Sequence, residues 1–122
     1  MANDPSFSKN FDLVENLFSN RDYEINISIP EFTCVCPKTG QPDFAIIEIN
    51  YIPNKSIVEL KSLKKYLQQY RDVGIFHETV TNKILDDFRR ACQPRKIEVI
   101  GRFNTRGGIN TIVNVRWPEE FV

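Results

Sequence analysis

An antiparallel α+β layer fold, with four strands and two helices in the order ββααββ and both helices on one sheet face, is what this 122-residue sequence predicts. Three observations carry the expectation. Apolar residues alternate with a period of two in two segments before residue 53 and in two more after residue 95. Between them the apolar period becomes helical. Pro, Gly and Asn gather at the joins. The length suits one domain with one core.

Residues 1–19 are polar with scattered Phe7, Phe11, Leu13 and Phe18, and read as an N-terminal arm; 20–122 are then the single domain. From Arg21 to Ile29, Tyr23, Ile25, Ile27 and Ile29 alternate with polar residues as a half-buried strand, which Pro30 is expected to end. Glu31 to Pro42 carries Pro37, Gly40 and Pro42 and reads as an ordered loop. Asp43 to Ile52 is the second strand, closed by Pro53-Asn54. Leu60, Leu63, Leu67 and Tyr70 mark the first helix. After the Gly74 break a second helix runs from His77 to Ala91, burying Val80, Ile84, Leu85 and Phe88, and Pro94 stops it. Lys96–Phe103 and Ile109–Trp117 are the last strands, joined at Arg106-Gly107-Gly108. The second sheet face also carries apolar residues that a chain this small cannot cover, so association with further copies is expected.

Lys and Arg number 16 and so do Asp and Glu, and the formal net charge of zero removes the electrostatic footprint of a nucleic-acid binder. No apolar run approaches the ~20 residues of a membrane-crossing helix. Met1-Ala2-Asn3-Asp4-Pro5 lacks the basic start and apolar core of a secretion signal, so a cytoplasmic protein is expected. Three cysteines, an odd number, argue against a disulfide framework. One histidine with Cys34-x-Cys36 and a distant Cys92 matches no common zinc spacing, and no metal is expected.

Four features carry chemistry. A thiol on the constrained Cys34–Asp43 segment, with Lys38 nearby to favour thiolate, fits a covalent nucleophile, and Asp43 fits a proton donor and acceptor. The same residues also fit buried small side chains and a turn cap. Lys61, Lys64 and Lys65, at i, i+3 and i+4 with only Glu59 opposing them, place their charge on one helix surface suited to phosphate or simply to water. Phe76-His77-Glu78 opens the second helix. There Glu78 either answers the helix dipole or accepts two hydrogen bonds from the guanidine-like edge of a purine-type base, with Phe76 or His77 on the ring. Arg102 and Arg106-Gly107-Gly108 fit an anion site or a tight turn.

Together these segments resemble the QueF family of nitrile reductases in queuosine biosynthesis, in its short single-module form. The resemblance runs from Asn20-Arg21-Asp22-Tyr23 to Gly108 and rests most on two stretches. These are Cys36-Pro37-Lys38-Thr39-Gly40-Gln41-Pro42-Asp43 and Glu59-Leu60-Lys61-Ser62-Leu63-Lys64-Lys65-Tyr66. It implies the tunnelling fold shared with GTP cyclohydrolase I, whose ββααββ units assemble into an oligomeric barrel with sites between subunits. It implies reduction of 7-cyano-7-deazaguanine to its aminomethyl product by two NADPH through a cysteine thioimide. Cys36 would be the nucleophile and Asp43 the proton donor; Glu78, His77 and Phe76 would serve the base. Glu59, Lys61, Ser62, Leu63 and Lys64 would form the NADPH signature, with Arg106 a further cofactor candidate. Lys65 departs from the family's usual apolar or Tyr residue. Two other readings stay open: an amidinotransferase-like relative that adds nitrogen to the same nitrile without NADPH, and a non-catalytic purine- or pterin-binding oligomer.

Overall fold

The computed structural model describes residues 11–119. Four long strands form one antiparallel sheet: β2 (Ile25–Val35), β3 (Pro42–Ile52), β5 (Lys96–Arg106) and β6 (Ile109–Trp117), in the spatial order β2-β3-β5-β6. Helices α1 (Leu60–Gln68) and α2 (His77–Cys92) lie between β3 and β5 in sequence and pack on one face of the sheet. The expected α+β order therefore holds. Alternation explains the layer: Ala45, Ile47, Ile49 and Tyr51 of β3 and Ile97, Val99 and Phe103 of β5 are buried against the helices. Phe44, Ile46 and Ile112 stand exposed on the opposite face, among the cross-strand pairs Arg102–Glu48 and Arg116–Glu98.

Each helix has a local reason to start and stop. The Glu59 carboxylate accepts from the N–H groups of Lys61 (2.6 Å) and Ser62 (2.9 Å), capping α1. A tight helical turn, Gln69–Asp72, extends α1 and buries Tyr70. Gln93 closes α2 in the left-handed region, with φ 47°, and Pro94 follows it. The two helices are tied together where Tyr66 donates to Asp87 (2.5 Å) and shares a hydrogen bond with Tyr70 (2.8 Å).

Pro30 does not end the second strand, as the sequence suggested; β2 continues through it to Val35, taking up part of the expected loop. Pro is tolerated because β2 is an edge strand and because a bulge falls there. Ile29 pairs with Ile47 and Phe32 with Ala45, so three steps on β2 match two on β3. A second bulge lies in β5, where Phe103 pairs with Thr111 and Arg106 with Ile109. Gly107 and Gly108, at φ 58° and 78°, then make the two-residue turn into β6, a conformation that side-chain-bearing residues resist.

A small second sheet, in which β1 (Leu13–Glu15) pairs with β4 (Ser56–Val58), was not expected from the residue pattern. Residues 1–10 of the expected arm lie outside the described residues. From Phe11 onward the chain is docked: Phe11 packs on Tyr66 and Phe88, and buried Asn16 bonds Asn54 and Tyr23. Arg95 reaches Asp22 and the carbonyls of Ser19 and Arg21.

Candidate active site

The end of β2 and the segment joining the helices hold each other. The Val35 N–H donates to Val73 O (2.9 Å) and the Ile75 N–H to Val35 O (3.0 Å). This bridge fixes the base of the Cys36 turn and, two residues beyond Ile75, the start of α2 at His77. The turn itself is closed by the Cys36 N–H to Gln41 O (2.8 Å) and the Gly40 N–H to Cys36 O (2.9 Å).

Within that turn the Cys36 thiol is held below its ordinary pKa. The Thr39 hydroxyl is the largest cause, followed by the N–H groups of Thr39 and Lys38; the nearby Asp43 charge opposes them. Lys38 thus acts through its peptide N–H and not, as expected, through its ammonium charge. Cys34, fully buried, is pushed up to about 12 by burial first and then by Asp43 and Cys36. Burial likewise pushes Cys92 up to about 12. The three thiols are therefore unequal, and Cys36 alone should be alkylated by iodoacetamide at neutral pH, as read by peptide mass mapping. Replacing the hydroxyl in Thr39→Val raises the Cys36 pKa, so the acid limb of its alkylation rate should move to higher pH. An unmoved limb would remove Thr39 from the site.

Asp43, 5% exposed, lies opposite Cys34 in the β2–β3 register. Its two carboxylate oxygens have different partners: His77 Nε2 at 3.2 Å from Oδ2, and Arg106 Nη1 at 3.0 Å from Oδ1. The His77 ring stacks on Phe103, with centroids 3.8 Å apart and planes 8° from parallel. Thr81 secures the first turn of α2 by donating to His77 O (2.8 Å). Glu78 and Phe76 are exposed beside this cluster, on the first turn of α2 and just before it. Cys36, Asp43, His77 and Arg106 are thus brought together, and Glu78 and Phe76 flank them.

The α1 signature lies apart. Leu63 is in the core, and Ser62 donates to Glu59 O (2.7 Å) and accepts from the Asp12 N–H (3.0 Å). With Glu59 as the cap, these three residues build the helix end, and the lysines present charge. The lysines do not share one surface, as their spacing had suggested. Lys61 and Lys65 line a groove of about 440 Å³ with Asp12 and Glu59, while Lys64 lines one of about 780 Å³ between α1 and β2. Positions 64 and 65 are ~100° apart around a helix, which is enough to separate them. None of the three forms a close ion pair with a described residue.

Fold and site together describe a small α+β protein presenting an activated thiol beside a buried, doubly held carboxylate. A family model described as QueF-like protein matches residues 42–121, and the chain belongs to that family. A relative from Thermomicrobium roseum, named NADPH-dependent 7-cyano-7-deazaguanine reductase, is 56% identical over 110 residues, 90% of this chain and 86% of the relative. Another of the same name, from Halorhodospira halophila, is 55% identical and spans 93% of this chain and 94% of the relative. The crystal structure of the archaeosine synthase QueF-Like in the apo form matches with a TM-score of 0.72. It covers 76% of this chain and 91% of that one at 22% identity, a likeness of fold.

Proposed function

We propose that this chain is an NADPH-dependent nitrile reductase of queuosine biosynthesis, converting 7-cyano-7-deazaguanine to 7-aminomethyl-7-deazaguanine in the cytoplasm. The observation that carries the reading is the activated Cys36 thiol beside Asp43, whose carboxylate His77 and Arg106 hold. The names of the relatives that share more than half of its residues support the substrate and cofactor.

Cys36 Sγ gives its proton to Asp43 and adds as thiolate to the nitrile carbon, forming a C–S bond. One π pair moves to nitrogen, which takes a proton from Asp43 and leaves a thioimide. NADPH, when bound, supplies hydride, and two are needed to bring a nitrile to an amine. Between the two reductions the C–S bond breaks and Cys36 departs as thiolate. Asp43 and His77 hold protons near the substrate nitrogen. Glu78 takes the guanidine-like edge of the base, and Lys61 and Lys64 take cofactor phosphates. Residues 20–122 carry the proposed catalytic domain, and residues 11–19 pack onto it.

Further copies of the chain complete the site. The exposed Phe44, Ile46 and Ile112 on the outer sheet face and the exposed Glu78 and Phe76 flanking His77 support that assembly.

Mixing pure protein with the nitrile base and NADPH tests the reading, followed by absorbance and intact mass. Two NADPH should be consumed per nitrile, and without NADPH the protein should gain the mass of one substrate. Lys61→Ala/Lys64→Ala should raise the KM for NADPH roughly tenfold or more while the adduct still forms, because charge-assisted contacts to phosphate are lost. An adduct without NADPH oxidation by wild type would replace the reductase with an amidinotransferase. Neither adduct nor oxidation would leave a binding protein.

A further inference from the structure

We propose that Arg106 is a positioning residue for the nucleophilic step: from the β5–β6 hairpin its guanidinium holds the Gln41–Asp43 segment and so fixes both the Cys36 turn and the Asp43 carboxylate. This rests on the roles given above to Cys36 and Asp43. It departs from the cofactor role that the family resemblance implies for the same arginine.

One guanidinium reaches three consecutive residues. Nη1 donates to Asp43 Oδ1 (3.0 Å) and to the Pro42 carbonyl, and Nη2 donates to Gln41 Oε1. A rigid planar fork can span such acceptors, and an ammonium cannot. Gln41 is also the residue whose carbonyl closes the Cys36 turn by accepting from the Cys36 N–H (2.8 Å). Arg106 therefore grips the far end of the nucleophile's turn by side chain and backbone at once. Asp43 Oδ2 is engaged by His77, so Arg106 on Oδ1 leaves the carboxylate little freedom to rotate.

The β5 bulge makes this reach possible. Thr111 and Ile109 of β6 share a face, so their partners Phe103 and Arg106 share one too, the face that holds Asp43. In unbroken alternation Thr105 would stand there and Arg106 would point away. A guanidinium engaged by three acceptors is also poorly placed to serve as a free phosphate ligand.

The test separates the nucleophilic step from cofactor use. The rate of covalent adduct formation from the nitrile base, without NADPH, is compared with kcat and the NADPH KM in wild type, Arg106→Ala and Arg106→Lys. Arg106→Ala should slow adduct formation by about tenfold or more, because a small misplacement of reacting groups is costly, and leave the NADPH KM within about twofold. Millimolar guanidinium should restore part of the adduct rate in Arg106→Ala and none in wild type. Arg106→Lys should fall between the two, since it returns charge to Asp43 without the fork.

Adduct formation at the wild-type rate in Arg106→Ala overturns the proposal, whether or not the NADPH KM rises. If Arg106→Ala does not fold by circular dichroism, Gln41→Ala decides. A several-fold slower adduct with unchanged NADPH KM supports the clamp, and wild-type rates overturn it. Failure of the underlying assignment looks different: wild type forms no adduct, or Cys36→Ala keeps it.

Discussion

Cys36→Ala is expected to lose turnover by on the order of a thousandfold or more and to gain no mass from the nitrile base, because no other group can take over a covalent step. Cys34→Ala is the informative partner. Its thiol lies two residues away, but it is fully buried and pushed up to about 12, so its loss should leave the adduct in place. Cys34→Ala should act instead through packing, lowering stability by about 1 kcal/mol or somewhat more as a small cavity opens beneath the turn. Intact mass and a urea melt of the two variants measure both effects. An adduct lost in Cys34→Ala and kept in Cys36→Ala would exchange their roles.

Gly101→Ala is the second, and it reaches the site from the core. A Cβ at Gly101 would stand 2.7 Å from Thr81 Oγ1 and 2.8 Å from Phe103 Cε1. Neither neighbour is free to move: Thr81 holds the first turn of α2 through His77 O, and the Phe103 ring lies flat on the His77 imidazole. One added methyl should therefore cost about 1–3 kcal/mol of stability. It should also tilt His77 away from Asp43, so activity should fall further than the unfolded fraction explains. The discriminating measurement is kcat well below the melting transition. A destabilised variant with full kcat would show that the stack only fills space.

The sheet's layer order and both helices were legible because each rests on a local period: alternation in β3, β5 and β6, and the Leu60–Leu63–Leu67 stripe in α1. What escaped depends on the partner strand. Pro30 is a stop signal in isolation and a bulge residue once β3 lies beside it. The β1–β4 pair is three residues long on each side, too short to show alternation. The Cys36–Asp43 turn was visible as a rigid segment with a thiol and an acid. Its activation by the Thr39 hydroxyl was not, because that depends on the turn's geometry more than on charge near it in sequence. Arg106 was picked out as an anion ligand by residue type, while its reach to Gln41, Pro42 and Asp43 spans more than sixty residues of sequence. The lysine stripe shows the same limit in reverse: a sequence interval fixes angles around a helix, and the neighbouring elements decide which groove each side chain enters.

The bulge in β2 also bears on how this protein can vary between lineages. Substitutions along β2 change one side chain at a time, but loss of one residue at Pro30-Glu31 would restore strict alternation from Ile25 onward. Phe32 and Cys34 would stay on the buried face with Ile29, still opposite Ala45 and Asp43, because the bulge supplies the one extra step that the deletion removes. What the site depends on is the pairing of Phe32 with Ala45: the same residues laid down without the bulge would turn Phe32 and Cys34 to the outer face. Lineages with one residue fewer between Ile29 and Phe32 are therefore compatible with this site, since they build the same buried face from a straight ladder.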